Sequence, residues 1–98
     1  MKQMDISDDI RVVIDYEGSG LPSAVKELKP TLWIDGNSYC CILGPNPKQG
    51  IFGCGITPVA ALLDWDDHLR ERIKAANPGD RVVQYAIDIL KANKYDSN

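Results

Sequence analysis

The sequence predicts an α+β fold: an antiparallel three- to four-stranded sheet, with one main helix packed on a face and a second helix at the C-terminus. Apolar residues alternate with polar ones in the first half of the chain, which is typical of strands. After position 57 they recur every three or four residues, as in helices. With 98 residues and 44% apolar composition, the chain can bury one core. We therefore treat 1–98 as a single domain, with a core of about 10–76 and a C-terminal helix of about 80–93.

Four segments have the pattern of strands. In residues 10–16 every second residue is apolar, and the residues between them are polar except Val13. Residues 31–34 and 39–43 are rich in β-formers and flank Asp35-Gly36-Asn37-Ser38, in which a Gly-containing pair provides the positive φ of a tight hairpin turn. A loop with two prolines follows, and residues 51–56 form the last predicted strand.

The remaining segments have the pattern of helices. Pro22 can open a short helical turn. Thr57-Pro58 begins the main helix, because a hydroxyl suits the N-cap and proline suits the first helical position. Asn77-Pro78-Gly79 ends that helix, and the second begins near Asp80. More than half of the second helix's circumference is apolar, so we expect it to contact another subunit. The candidate residues for this homodimer interface are Val83, Tyr85, Ile87 and Leu90.

Charge and hydropathy narrow the classes of partner. The formal net charge of −3 disfavours generic binding to nucleic acid, which depends on clustered Lys and Arg. No apolar run approaches the roughly 20 residues needed to span a bilayer. The acidic N-terminus also lacks the apolar region of a secretory signal. We therefore expect a cytoplasmic chain, without a membrane partner, whose three cysteines are free thiols.

The stretch Gly50 to Leu62, GIFGCGITPVAAL, resembles the central signature of HicB-like antitoxins. In that family a hairpin and a Pro-containing loop precede a Gly, four residues, a second Gly, a Thr after one residue, and an Ala-Leu pair inside the helix. The matching positions here are Gly50, Gly55, Thr57, Ala61 and Leu62. The similarity covers about residues 31–73. Val59 and Ala60 depart from it, because the family usually has acidic residues there.

This resemblance implies a partial ribonuclease-H-like arrangement, in which three antiparallel strands carry one helix across a face. It also implies binding to a cognate toxin, usually a small ribonuclease. Such antitoxins often have a DNA-binding segment after the helix, whereas only residues 77–98 follow it here. Basic and acidic residues balance in that stretch, which disfavours a DNA-reading helix. A protein partner such as a small toxin is therefore expected.

No pattern predicts catalysis, a cofactor or a metal. Cys40 and Cys41 are adjacent, so they point to opposite faces of a strand and cannot easily reach one ion together with Cys54 or His68. The same geometry disfavours a Cys–His nucleophile pair. The glycines before the main helix lack the ending of a phosphate-binding loop. Of the acidic residues in the main helix, Asp66 or Asp67 is expected to pair with Arg70.

Four residues are the candidates for partner binding: Trp33, Tyr39, Phe52 and Asp66. Aromatic residues on strands are usually core, but one helix cannot cover both faces of the sheet, so the outward-pointing ones become anchors for a partner. Asp66 falls on the apolar arc of the main helix, where an acid must lie at the margin or meet a partner's cation. The leading hypothesis is a non-catalytic, HicB antitoxin-like interaction domain that forms a homodimer. The alternative is a homo-oligomeric domain that binds a small molecule.

Overall fold

The computed structural model describes residues 3–17, 20–75 and 77–96, and its architecture confirms the α+β class. The described residues form a four-stranded antiparallel sheet and three helices. In chain order the elements are β1 (Arg11–Val12), α1 (Ser23–Leu28), β2 (Thr31–Asp35), β3 (Ser38–Leu43), β4 (Ile51–Gly55), α2 (Pro58–Ala75) and α3 (Arg81–Asp96). No helix in these described ranges is long and apolar enough to cross a membrane.

The strands pair in sequence order, β1-β2-β3-β4, so β1 and β4 are the two edges of the sheet. The β2–β3 turn has Gly36 at φ 63°, which agrees with the turn predicted from the Asp-Gly pair. The predicted length of the first strand is wrong, because only Arg11 and Val12 pair with β2. Continuing this register would place Ile14 opposite Pro30, which has no N–H to donate and whose carbonyl accepts from Tyr16 Oη at 2.6 Å, so the ladder does not continue beyond Val12.

One face of the sheet carries the helices and the larger core. Thr57 caps the start of α2, since its Oγ1 accepts a hydrogen bond from Ala60 N–H at 3.0 Å. From there α2 lies across β4 and β3, and α1 and α3 pack beside it. The buried residues of this core are Val25, Leu28, Leu32, Cys41, Leu43, Ile51, Ala61, Leu62, Trp65, Leu69, Val82, Val83 and Ala86.

Two glycines of β4 allow α2 to approach the sheet closely. A Cβ built on Gly53 would lie 2.4 Å from the backbone nitrogen of Trp65, and one built on Gly55 would lie 2.6 Å from Ala60 and Ala61. Neither position has space for a side chain, because the obstructing atoms belong to the helix backbone. The spacing of glycines in this segment therefore sets how closely helix and strand pack.

The opposite face is covered by the chain's own N-terminal segment, which the sequence did not indicate. Met4 N–H donates to Gly44 O at 2.8 Å, and the Gln3 side chain bonds Thr31 Oγ1 and the carbonyl of Ile42. Ile6 then packs against a second core. This core contains Ile6, Trp33, Cys40 and Ile42, with Met4, Phe52 and Cys54 partly buried around it. Both faces of the sheet are thus occupied by the same chain.

Candidate interaction surfaces

The cysteines correct one expectation from the sequence. Cys40 and Cys54 face each other across β3 and β4, with Cα atoms 4.1 Å apart, and form a disulfide. Three free thiols were expected, which is wrong for these two residues. Only the register of the strands brings them together, because 14 residues separate them in the chain. Cys41 points to the other face, as predicted, and is free and buried.

The described residues contain no cluster of three or more His, Cys, Asp or Glu side chains that could hold a metal ion. The free thiol of Cys41 is also unsuited to nucleophilic chemistry. Burial, and then the nearby negative charge of Asp64, raise its pKa to about 12, so it stays protonated near neutral pH. It packs inside the larger core and donates to the carbonyl of Ala61 at 3.4 Å.

Trp33 and Phe52 lie together on the face covered by the N-terminal segment. Their ring centroids are 5.9 Å apart and tilted by 48°. Trp33 is buried against Ile6, whereas Phe52 is half-buried at the border of this smaller core. Both aromatic candidates therefore contribute to internal packing, and Phe52 retains the greater exposure.

Tyr39 lies on the helix-bearing face, at the hairpin end of the sheet. It pairs with Ile34, and both residues have the same parity as the buried Leu32 and Cys41. Tyr39 packs against the core, but Ile34 is exposed. Because α2 lies over β4, Ile34 and Tyr39 form the floor of the region beside this helix.

Exposed apolar side chains of α2 border the same region. Val59 and Leu63 are one helical turn apart and exposed. At 100° per residue, they fall on the flank of α2 that also carries Asp66, which is the flank opposite the β4 edge. We call Ile34, Tyr39, Val59 and Leu63 the hairpin-end patch.

Asp66 lies at the border between this patch and the core. The residue is only 4% exposed, and its Oδ2 is 3.0 Å from Arg70 Nη2, so the predicted pairing with Arg70 is confirmed. Burial raises the pKa of Asp66 above its usual value, the Arg70 charge opposes that shift, and Asp67 adds to it. The cation that a buried acid requires is therefore supplied within the chain.

The four α3 candidates differ in exposure. Val83 is 3% exposed and belongs to the core with Val82 and Ala86, whereas Ile87 and Leu90 are partly buried against that core. Tyr85 is 39% exposed. Internal packing thus accounts for most of the broad apolar surface of α3, and Tyr85 is the candidate left for contact with another chain.

Three polar residues of α2 occupy the free edge of β4. Cys54 N–H donates to Asp64 Oδ2 at 3.0 Å, His68 Nδ1–H donates to the carbonyl of Phe52, and Arg72 Nη1 donates to the carbonyl of Gly50 at 2.6 Å. We call Asp64, His68 and Arg72 the edge ladder. These residues satisfy backbone groups that an unpaired edge strand would otherwise offer to another chain. Their spacing of four residues is visible in the sequence, but only the position of α2 along β4 gives this spacing a role.

The opposite edge has no such ladder. Ile34 N–H donates to the carbonyl of Ile10 at 2.8 Å, so the next residue of β1, Arg11, directs its backbone groups away from β2. The same alternation applies to Val13, which has no backbone hydrogen-bond partner in the described ranges. Its side chain is 88% exposed. We call residues 11–15 the open edge.

An open cleft of about 720 Å³ lies between the β3–β4 loop and the α2–α3 turn. Lys48, Arg72, Asp80 and Arg81 line it. Arg72 and Asp80 bond each other at 2.6 and 2.7 Å, and Asp80 also accepts from Val83 N–H at the start of α3. The pair closes the turn between the helices, so neither charge is free to bind a ligand.

Comparison of this chain with protein-family models, curated proteins and solved structures found no match.

Proposed function

We propose that the chain is a non-catalytic, antitoxin-like interaction domain that binds another polypeptide through the hairpin-end patch. The observation that carries this proposal is the grouping of Ile34, Val59 and Leu63, which are exposed apolar side chains around a half-buried Tyr39. The exposed side chain of Arg70, which pairs with the buried Asp66, borders the patch. Apolar centres with charged rims are typical of protein interfaces.

The residues that resemble the HicB signature support this assignment through their structural role. Gly55 has no side chain, so α2 can pack closely against β4, and Thr57 caps the start of this helix. Ala61 and Leu62 are fully buried residues of α2. Together they fix the position of α2, and that position places Val59 and Leu63 beside the sheet. The net charge of −3 suits a small basic toxin as the partner.

Co-expression tests the proposal. The proposal predicts that a small basic protein is encoded beside this chain, that it inhibits growth, and that co-expression of this chain relieves the inhibition. A Val59→Asp/Leu63→Asp variant should fail to relieve it, because two carboxylates would be buried in the complex without partners. Both residues are exposed, so the variant should keep its fold.

Lys74→Asp is the matched control, because it places a carboxylate on an exposed position of the same helix and should relieve inhibition as well as the wild type. Full relief by the patch variant, or no growth inhibition by the neighbouring protein, would contradict the proposal. Binding of a small molecule in the cleft, the alternative function, stays a prediction. The pairing of Arg72 with Asp80 does not favour it, because these two charges in the cleft lining already bind each other.

A further inference from the structure

We propose that the open edge of β1 pairs antiparallel with the open edge of a second copy of this chain, about a two-fold axis at Val13. Such pairing would join two four-stranded sheets into one eight-stranded sheet. The inference is independent of the proposed function, because the two use different surfaces. The hairpin-end patch lies on the helix-bearing face of the sheet, whereas the open edge is the outer side of β1.

The outer side of β1 has backbone groups that are available to another strand. Residues 11–17 alternate between exposed and half-buried, which is the pattern of an extended chain with Val12, Ile14 and Tyr16 toward the core. The outward backbone groups are therefore those of Arg11, Val13 and Asp15. Arg11 N–H already donates to Ser7 O at 3.1 Å, so its carbonyl is the group left to accept.

A two-fold axis at Val13 uses these groups without conflict. Val13 N–H of each copy would donate to the Val13 carbonyl of the other, and Asp15 N–H of each copy would donate to the Arg11 carbonyl of the other. All the paired residues have outward backbone groups, as an antiparallel ladder requires.

The charges of the open edge are complementary to those of a second copy. In this register Arg11 of one copy stands beside Asp15 of the other, on both sides of a central Val13–Val13 contact. The three side chains share one face and all are exposed. Arg11 Nη1 lies 3.7 Å from Asp8, whose side chain is 93% exposed, so this ion pair is weak and exchangeable. Arg11 Nη2 also donates to the carbonyl of Ile6 at 3.0 Å, and this neutral partner leaves the positive charge of Arg11 available to the Asp15 carboxylate of the other copy. A single segment thus contains the apolar centre and both charges of a self-complementary edge.

The two edges of the sheet differ in how readily they accept another strand. The edge ladder already occupies β4, so strand addition by a second copy has one free side of the sheet available. An extended strand is the occupant that fits, because the exposed feature is a row of backbone groups beside a valine.

Analytical ultracentrifugation of the full chain from about 10 µM to about 1 mM tests this dimer, whose short interface predicts weak association. Arg11→Asp and Asp15→Arg should each raise the dissociation constant at least about tenfold, because like charges then face each other. The double variant Arg11→Asp/Asp15→Arg should return it to within about threefold of the wild type, because the charges are exchanged and the pairs re-form.

Lys48→Asp is the matched control for charge reversal, since Lys48 is exposed on a distant loop, and it should leave association unchanged. In samples that mix labelled and unlabelled chains, NMR should also show contacts between Val12 of one copy and Ile14 of the other, whose Cα atoms would approach to about 4.5 Å. A chain that stays monomeric at about 1 mM overturns the inference, and so do charge reversals that leave the dissociation constant unaltered. Either result leaves the co-expression test of the proposed function unaffected.

Discussion

The two edges of this sheet differ in whether their outward backbone N–H and C=O groups have hydrogen-bond partners. At β4, side chains of α2 occupy three backbone groups, and at β1 the outward groups of Val13 have no described partner. The β4 edge is also the one beside the helix that dominates the core. A helix that packs along an edge strand can close that edge, whereas an edge without a neighbouring helix stays available for another strand.

The repeat distances of helix and strand explain how three residues of α2 can each reach a backbone group of β4. Positions four apart on a helix are separated by about 6.0 Å along its axis. Positions two apart on a strand are separated by about 6.6 Å. Asp64, His68 and Arg72 therefore keep in step with Cys54, Phe52 and Gly50 over two helical turns.

The largest expected effect comes from forcing α2 away from β4. Gly53→Ala places a methyl group against the Trp65 backbone, so the helix must shift and the edge ladder must lose its alignment. We expect a loss of about 3 kcal/mol in the free energy of unfolding, measured by urea denaturation. Gly79→Ala is the control, because its added methyl group would meet only Asn77 Oδ1, at 3.5 Å, and it should change stability by less than about 0.5 kcal/mol. Equal effects of the two substitutions would contradict this account of the β4 glycines.

Removing the ladder without moving the helix should have a smaller effect. Asp64→Ala/His68→Ala removes the partners of Cys54 N–H and Phe52 O, which should cost about 1–2 kcal/mol of unfolding free energy. The exposed edge should also promote aggregation, seen by light scattering on gentle heating. Asp67→Ala, on an exposed position of the same helix, should do neither. A double variant that stays dispersed would show that the ladder does not protect the edge.

The Asp66–Arg70 pair lies on the opposite flank of α2 and contacts neither edge strand of the sheet. It therefore serves as a comparison for the edge ladder. Arg70→Gln should lower the free energy of unfolding by about 1 kcal/mol near neutral pH, because it leaves a buried carboxylate without its cation and Arg70 itself is largely exposed. Monomer–dimer behaviour should not change. A shift in sedimentation for this variant would mean that this flank also contributes to association.

The pH dependence of Asp66 follows from the direction of its pKa shift. The folded state raises this pKa, so it binds the proton more tightly than the unfolded chain does. The stability of the wild type relative to Asp66→Asn should therefore rise as pH falls through the raised value, and level off below the ordinary pKa of an aspartate. Urea denaturation of both proteins from pH 7 to pH 3 measures the difference. A fall in relative stability over that range would contradict a raised pKa for Asp66 in the folded state.

The smallest expected difference concerns single amides in the monomer. Cys54 N–H, which donates to Asp64, should exchange with solvent at least about tenfold more slowly than Val13 N–H in dilute protein. At high concentration the proposed dimer should slow exchange at Val13 and leave Cys54 unchanged. Hydrogen exchange followed by NMR at two concentrations measures both rates. An exchange rate at Val13 that does not depend on concentration would show that this amide is not in a dimer interface.

Local rules in the sequence were enough to determine the β2–β3 hairpin, the start of α2 at Pro58 and the α+β class. A Gly-containing turn, a capped helix start and the period of apolar residues act within a few positions of each other, so they can be recognised without knowing the rest of the fold. The pairing of Asp66 with Arg70 was predictable for the same reason, since it spans one helical turn.

Only the tertiary structure decided how distant segments meet. The Cys40–Cys54 bond depends on strand register, the edge ladder depends on where α2 lies along β4, and the cover over Trp33 depends on the path of the N-terminal segment. The shortening of β1 likewise depends on the register that would bring Ile14 opposite Pro30. Each feature joins residues that tertiary packing brings together, and their separation along the sequence does not predict that contact.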